Sequence, residues 1–518
     1  MRSLIRLFGL STVLGLLLVQ GCKVGPDYVE PEVEVTDEWF SAVEAEMSSQ
    51  EPDIEKWWES LGDSTLTDLI KGAELSNLDL RIAVSRVAEA RALRGIAKGD
   101  LYPDLVLEGA YSYTKLSDNS VIGQIITGGT DGEVDPFELW EASASSFWEI
   151  DLFGRIRRGV EAATAQFEAT IEDYRDVLVS LYAEVALNYV DVRALQERLA
   201  FARQNITAQR ESLALTRDRF EAGLTSALDV AQAEQNLAQT ESSIPTLQTG
   251  LNAALNRLAV LLAEQPGSLH AQLLSDEGGI PVAPEDIMMG VPADILRRRP
   301  DVRRAERLLA SQTALIGVAK ADLYPTFSIS GFVQSVAGTF SGMFQGDGSS
   351  IGWGVIPGFR WDLFKGGKIR NNIRAQEART DQALLGYQQT ILLAFEEVED
   401  AMVAYDRERV RLARLQEAAD ASQRAVDLVR TQYISGLTNF QNLLDTQRSL
   451  FRQQDQLAES EGQVVQNLVR LNRALGGGWS LEPAEPDKVS DSQSGTDSDR
   501  ASESDTQSSS QENQELNR

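Results

Sequence analysis

From about Ile156 to Glu221 the chain has no proline and one glycine, Gly159, and its apolar residues fall on heptad spacing. They are Leu178, Leu181, Val185, Val192 and Leu195, with Asn188 at one seam position. A second stretch of the same length, about Ile369 to Ile434, repeats the pattern. Its seam is Leu384, Tyr387, Ile391, Ala394, Val398, Ala401, Tyr405, Leu412 and Leu415. Sustained seven-residue spacing predicts long helices packed in coiled-coil fashion. At 1.5 Å per residue each would extend about 100 Å, too long for a compact globular domain. An ordinary structural coiled coil carries the same heptads, so the helices alone do not define a function.

Ahead of each long helix the period changes from seven to two. Leu105, Leu107, Gly109, Tyr111 and Tyr113 alternate with Val106, Glu108, Ala110, Ser112 and Thr114. Next, Trp140, Ala142, Ala144, Trp148, Ile150 and Leu152 alternate with Glu141, Ser143, Ser145, Glu149 and Asp151, while Ser146 and Phe147 break the rule. The second half sets Phe327, Ile329, Gly331 and Val333 against Ser328, Ser330 and Gln334. It then sets Trp353, Val355, Phe359, Trp361 and Leu363 against Gly354, Gly358, Arg360 and Asp362. Alternation over about ten residues with aromatics near the ends is the weak signature of transmembrane β-strands. A half-buried sheet in water alternates identically. Tyr102-Pro103 and Tyr324-Pro325 are where each preceding helix must stop. The polar, glycine-rich segments from Asp118 to Pro136 and from Gly342 to Ser350 suit external loops.

These landmarks belong to a duplication. Gly95 through Pro103 recurs as Gly317 through Pro325 with seven of nine positions identical. Asp151-Leu152-Phe153 recurs as Asp362-Leu363-Phe364, and Gly223-Leu224-Thr225 as Gly436-Leu437-Thr438. The offsets of 222, 211 and 213 residues keep the order. A period near 210 is far longer than a solenoid repeat, so the chain is two large similar halves. Each half reads helix, strand, strand, long helix, helix.

Composition removes most other classes. The chain has 518 residues, 48 Lys and Arg against 78 Asp and Glu, and a formal charge of −30. Such acidity argues against a nucleic-acid partner. One Cys and one His leave no room for an internal disulfide, and almost none for a zinc site or a His-based catalytic triad. No catalytic, metal or cofactor constellation is present, so the chain is read as no enzyme and as needing no cofactor. His270 lies in a Pro- and Gly-punctuated linker and reads as a surface residue.

The lone cysteine has a context. Arg2 and Arg6 precede a run of apolar and small residues from Leu7 to Val19, too short for a retained span. The run ends in Leu18-Val19-Gln20-Gly21-Cys22, which resembles the lipobox of bacterial lipoproteins, making Cys22 the expected lipidation site. Acyl chains at about 0.8 kcal/mol per buried CH₂ would anchor the mature N-terminus to lipid. Lys23 after that Cys favours the outer membrane by analogy with lipoprotein sorting.

A sheet crossing a membrane must close, because lipid cannot satisfy an open edge. Four strands cannot make a barrel of useful size, so several chains must share one. Three chains give twelve strands, within the known range of barrels. The long helices would continue as a tube on one side.

At this point the chain resembles a family: TolC-like outer-membrane efflux proteins, in their lipoprotein, NodT-type branch. The matching pieces are Cys22 to Tyr28, Trp57-Trp58 with Leu66 to Ile70, Asp79 to Ala83, Val291 to Val302, and Ala474 to Trp479. The resemblance implies an α+β membrane protein: a homotrimer with a twelve-stranded transmembrane β-barrel continued by a twelve-helix periplasmic α-barrel. It implies a periplasmic adaptor (membrane fusion) protein and an inner-membrane RND-type pump as partners, with small molecules exported through a passive duct. It also places the controllable element at two hairpin tips. Ala222, Gly223, Leu224, Thr225, Ser435, Gly436, Leu437 and Thr438 are the expected adaptor-docking residues, although two ordinary helical turns would use the same residues. Asp445, Gln441 and Arg448 are the expected pore gate, with Gln441 departing from the apolar residue often found there. Asp229 is taken as the counterpart of Asp445 in the first copy, holding helix contacts.

The expected division is a signal peptide over 1–21, a lipid-anchored segment over 22–62 and a first repeat over 63–264. A linker over 265–291, a second repeat over 292–479 and a disordered acidic tail over 480–518 follow. From Ser480 the chain carries ten acidic and three basic residues without aromatics. The competing reading is a lipid-anchored coiled coil that bridges the envelope without a pore.

Overall fold

The computed structural model describes residues 23–33, 39–40, 54–118, 120–126, 133–275, 278–284, 298–344 and 348–480. The signal sequence, Cys22 and residues 481–518 lie outside them. The described chain opens with a 3-10 turn (Trp57–Leu61), α1 (Ser64–Ser76) and α2 (Leu78–Gly99). It continues with β1 (Asp104–Thr114), the short α3 (Val121–Ile126) and β2 (Phe137–Ile150). Then come α4 (Arg155–Glu221), α5 (Ala227–Glu241), α6 (Ser243–Leu261) and a short α7 (His270–Ser275). The second repeat is α8 (Pro300–Ala321), β3 (Thr326–Ala337), β4 (Ile351–Arg360), α9 (Lys368–Ile434) and α10 (Phe440–Ala474). Both long helices have 67 residues, starting one residue before the sequence placed them.

Several expectations need correction. The first repeat is not a plain copy of the second: its return leg breaks at Ser242 into α5 and α6, where the second runs on unbroken as α10. Pro245 explains the break, since it lacks an N–H for the Glu241 carbonyl and its ring crowds that oxygen. Leu152, Trp361 and Leu363 lie beyond the strands. A turn with Leu152 N bonded to Ile150 O ends β2, and Leu363 N bonded to Trp361 O does the same after β4. The indoles instead close the base of the sheet alike in both repeats: Trp148 Nε1 donates to Leu101 O at 3.0 Å, and Trp361 Nε1 to Leu323 O at 3.1 Å. The two external segments are not pure loop, holding α3 and a 3-10 turn at Ser341–Phe344. His270 opens α7 half-buried, with Nε2 3.0 Å from Asn252 Oδ1.

The described residues fall into two compact units. One draws on Met1–Glu32, Ala88–Thr170 and Ala305–Tyr387. It contains one antiparallel sheet in the order β1-β2-β3-β4, so the halves of the duplication meet at β2 and β3. Helices keep the same lateral order. On α2, Arg94 Nε donates to Thr164 Oγ1 of α4 at 3.2 Å, and Ser311 Oγ of α8 donates to Ala162 O of α4 at 2.9 Å. Gln312 of α8 donates to Gln376 of α9 at 2.8 Å. The edge helices α2 and α9 thus adjoin in sequence the edge strands β1 and β4. Residues 23–28 cross α4 and α8 as a strap held by the buried Arg158, which donates to Val24 O, Gly25 O and Asp27 Oδ1. Gly25 is required there: its φ is +93° and a Cβ would lie 2.5 Å from Gly317 Cα.

The other unit draws on Val33–Val87, Ile171–Arg304 and Gln388–Arg518. Its main core joins Trp57, Trp58, Leu66 and Ile70 to Leu181, Val185, Val192, Leu251, Leu255, Leu258, Val465 and Leu468. The seam of α4 supplies much of it, whereas α9 adds Tyr405, with Leu412 packed against it; Val398 and Ala401 of α9 pack in a separate cluster with Trp39 and Leu471. A separate small cluster, Leu213, Ala233, Tyr433, Phe440, Leu443 and Leu444, packs four helices together beside the tips.

Candidate functional site

Register decides which side chains share a face of the sheet. Leu107 lies opposite Ala144, Ala144 opposite Val333, and Val333 opposite Trp353, an apolar row across all four strands. One residue along, Glu108, Ser143, Gln334 and Gly352 form a polar row on the other face. Tyr111, Trp140, Ala142, Trp148, Ile329 and Val355 extend the apolar face, and Ser146 is its exception. Among the described residues its outer strands are little covered: Leu107 is 82% and Trp353 74% exposed. The Tyr111 and Trp140 rings pack tilted with centres 4.5 Å apart, and Phe340 meets Trp140 at 5.1 Å. Among the described residues the outer strands β1 and β4 each keep one edge unpaired. Such a sheet suits lipid on one side and water on the other, and needs partners at both edges.

The tips share one backbone design. Gly223 (φ 72°) and Gly436 (φ 76°) adopt the left-handed conformation just past α4 and α9. Leu224 N bonds to Arg219 O at 2.8 Å and Leu437 N to Gln432 O at 2.9 Å, the same 6→1 closure. Six of the eight expected docking residues are exposed, with Thr225 and Thr438 partly covered. Leu224 (68%) and Leu437 (79%) present aliphatic side chains that a single chain leaves uncovered.

Caps differ between the tips. Ser226 Oγ accepts from Asp229 N at 3.3 Å while Asp229 Oδ2 accepts from Ser226 N at 3.2 Å and from the Thr225 hydroxyl. Burial works against the Asp229 charge, but these donors outweigh it and hold the carboxyl below the usual range. By the 213-residue offset its counterpart is Asn442, not Asp445, so the assumed pairing with Asp445 is wrong. Asn439 caps α10 by accepting from Asn442 N at 3.2 Å.

Of the expected gate residues, two come together. Gln441 Nε2 donates to Asp445 Oδ1 at 3.0 Å, and both are exposed on the face of α10 opposite Leu443 and Leu444. Arg448 turns elsewhere, its Nε donating to Asn236 Oδ1 of α5 at 3.0 Å. Sequence reading missed Arg219, which donates to Tyr433 O at 2.5 Å and lies 4.7 Å from that ring centre, tying α4 to α9. Its place in the last turn of α4, where cations meet helix carbonyls, was the available signal. Cys22 lies outside the described residues. Among them, no group of three or more His, Cys, Asp or Glu side chains could hold a metal ion. No described helix is long and apolar enough to cross a membrane.

Comparison with known proteins gives consistent matches. The family model for the outer membrane efflux protein matches residues 69–264 and 291–477. Nodulation protein T of Rhizobium leguminosarum bv. trifolii is 30% identical over 469 residues, covering 90% of this chain and 96% of that protein. Outer membrane protein OprJ of Pseudomonas aeruginosa is 32% identical over 477 residues, covering 91% and 96%. The solved outer-membrane channel OprN superimposes with a TM-score of 0.81 at 35% identity, covering 88% of this chain and 100% of that one.

Proposed function

The chain belongs to the outer membrane efflux protein family, and from that premise we propose that three copies form a passive export duct. The duct takes small molecules, such as drugs or other toxicants, from a periplasmic adaptor and an inner-membrane RND-type pump to the exterior. The observation that carries this reading is the two-faced sheet with its uncovered apolar row and unpaired outer edges. In lipid those edges must be satisfied. Running β1 of one copy antiparallel to β4 of the next closes twelve strands, with the polar row inward. The edge helices α2 and α9 meet along the same seam. A pore-free coiled coil in water would leave Leu107 and Trp353 exposed to no purpose.

Within the duct the exposed tip residues, Leu224 and Leu437 foremost, are the adaptor-docking surface. Acylated Cys22 anchors each copy to the membrane. Three Asp445 carboxylates form a ring that favours cations, as charged rings do in other pores. Purified protein in a planar lipid bilayer should give unitary cation-preferring current steps, and Asp445→Ala should enlarge the conductance and weaken the preference. Unchanged conductance and selectivity would remove Asp445 from the gate; no steps at all would remove the duct.

A further inference from the structure

In the sheet β1 and β3 are equivalent at an offset of 222 residues, and β2 and β4 at 213, since Asp104 faces Phe147 as Thr326 faces Arg360. The indole bonds agree, Trp148 to Leu101 O matching Trp361 to Leu323 O. The long helices keep the second offset, so Arg155 opens α4 where Lys368 opens α9. One seam between repeats lies inside the chain, where β2 pairs with β3 and α4 lies beside α8. The other would run from β4 and α9 to β1 and α2. A single sheet cannot form it, because β1 and β4 are its two edges.

Applying the offsets to the inner register gives the outer one. Trp148 opposite Ile329 becomes Trp361 opposite Leu107 of the next copy, and Ala142 opposite Ser335 becomes Val355 opposite Tyr113. Odd-numbered residues of both strands thus share the apolar face, a match that a shift of one residue would destroy. On the polar face Phe147 opposite Ser330 becomes Arg360 opposite Glu108. At the base of the helices, Arg155 lies near enough to Asp322 for each charge to favour the other, and the same step sets Lys368 beside Asp100.

Both derived pairs are of opposite charge, and all four side chains are exposed in one chain. The charges also select the edges. β1 carries only acidic ones, Asp104 and Glu108, and β4 only a basic one, Arg360. Pairing like edges would therefore offer no opposite charge, and a slip of two residues would part Arg360 from Glu108. Val336 N bonds to Ser350 O, so odd residues of β4 aim their backbone groups at the free edge. Pro357 is one of them and has no N–H to give, a bond lost in any register.

We infer that the seam between copies repeats the seam inside the chain, with Trp361 level with Leu107, and that the Arg360–Glu108 and Lys368–Asp100 pairs match β4 and α9 of one copy to β1 and α2 of the next. The inference rests on the duct reading and adds to it the register and the residues that set it.

The test uses full-length protein in membranes. Ser112→Cys with Ile356→Cys, opposite each other in this register at a non-hydrogen-bonded site, should form disulfides on mild oxidation and run as covalent dimers and trimers on non-reducing gels. Within one chain the two positions are three strand spacings apart, about 14 Å, so a disulfide joins only separate copies. Ile356→Cys with Ala110→Cys or Thr114→Cys samples a slip of two residues either way and should couple about tenfold less; each cysteine alone controls for Cys22. Glu108→Arg and Arg360→Glu should each lower the heat-resistant trimer about fivefold or more, and the double reversal should restore it. Asp100→Lys with Lys368→Asp reads the helical pair in the same way. Stronger coupling at Ala110 or Thr114 would overturn the register alone, and a double reversal no better than its single members would overturn that ion pair. Protein that conducts but couples at none of the three sites would overturn the seam, whereas protein that neither couples nor conducts would take the duct down with it.

Discussion

In the first repeat α5 starts from Ser226, whose hydroxyl and the Asp229 carboxylate cap each other's backbone; in the second α10 starts from Asn439, with Asn442 turned back onto Thr438 at 2.8 Å. The glycine before each cap has nearly the same φ, 72° against 76°. Beyond the caps the legs diverge. Pro245 breaks the first into α5 and α6, and α6 sinks Leu247, Leu251, Leu255 and Leu258 into the core. The second runs 35 residues without interruption and carries Gln441 and Asp445 into solvent. Duplication has therefore held what the backbone needs at each turn, a left-handed residue and a capped helix start. It has released the side chains beyond: both return legs feed the core, but the unbroken one also carries Gln441 and Asp445 on its exposed face.

Substitutions at equivalent positions put that division to work. Leu107→Arg and its counterpart Ile329→Arg, 222 residues on, each place a charge on the apolar face. Leu107→Arg should cost about 2–4 kcal/mol if it lies near the membrane midplane, and Ile329→Arg, level with Trp148 at the base of the sheet, less, both read as lost heat-resistant oligomer on gels. Ser143→Arg, on the polar face, should be tolerated; equal damage from both faces would break the assignment of a lipid side. Next in size, Gly223→Ala and Gly436→Ala should each cost about 1–2 kcal/mol, seen as faster hydrogen exchange at the following helix start. Unequal losses there would mean that the two turns are not under the same backbone constraint.

Two smaller effects separate the repeats by pH. Burial, and then the nearby Glu197 charge, push the Glu461 carboxyl up to about 7 from 4.5. The offset of 213 puts Gln248 at the matching place in the first repeat. A raised carboxyl binds its proton more tightly when folded, so its stability is complete below pH 4.5 and is lost as pH rises through about 7. Glu461→Gln should therefore raise the melting temperature at pH 8 and leave it unchanged at pH 4. Asp229 has the opposite sign. Its depressed carboxyl supports α5 above pH 3.8 and gives up that support as pH falls through its lower folded value. Exchange at residues 227–231 should quicken in acid while the Asn-capped start of α10 does not respond; parallel behaviour of the two tips would contradict the cap assignment.

What sequence made legible here is what depends on near neighbours. Heptads placed α4 and α9 within a residue of their starts, and Tyr102-Pro103 and Tyr324-Pro325 marked the ends of α2 and α8. Alternation located all four strands and gave their faces correctly, since period two is a local property of the pleat. The pairing of β2 with β3 was not legible, because Trp140 meets Ala337 only through the fold of the whole chain. The strap on Arg158 escaped for the same reason. Pro245 was visible as a residue but was not weighed as the break it makes. At the tips, glycines and caps announced the turns, whereas the difference between Asp445 and Arg448 was hidden. One faces solvent and the other Asn236, and only packing decides which.

The central claim is that four strands per chain become a closed barrel only by sharing. Native mass spectrometry of protein released gently from membranes into detergent tests it most directly. The account predicts three copies in one particle, each beginning at an acylated Cys22. A monomer or dimer, under conditions that keep other membrane trimers whole, would leave β1 and β4 without partners and contradict the duct.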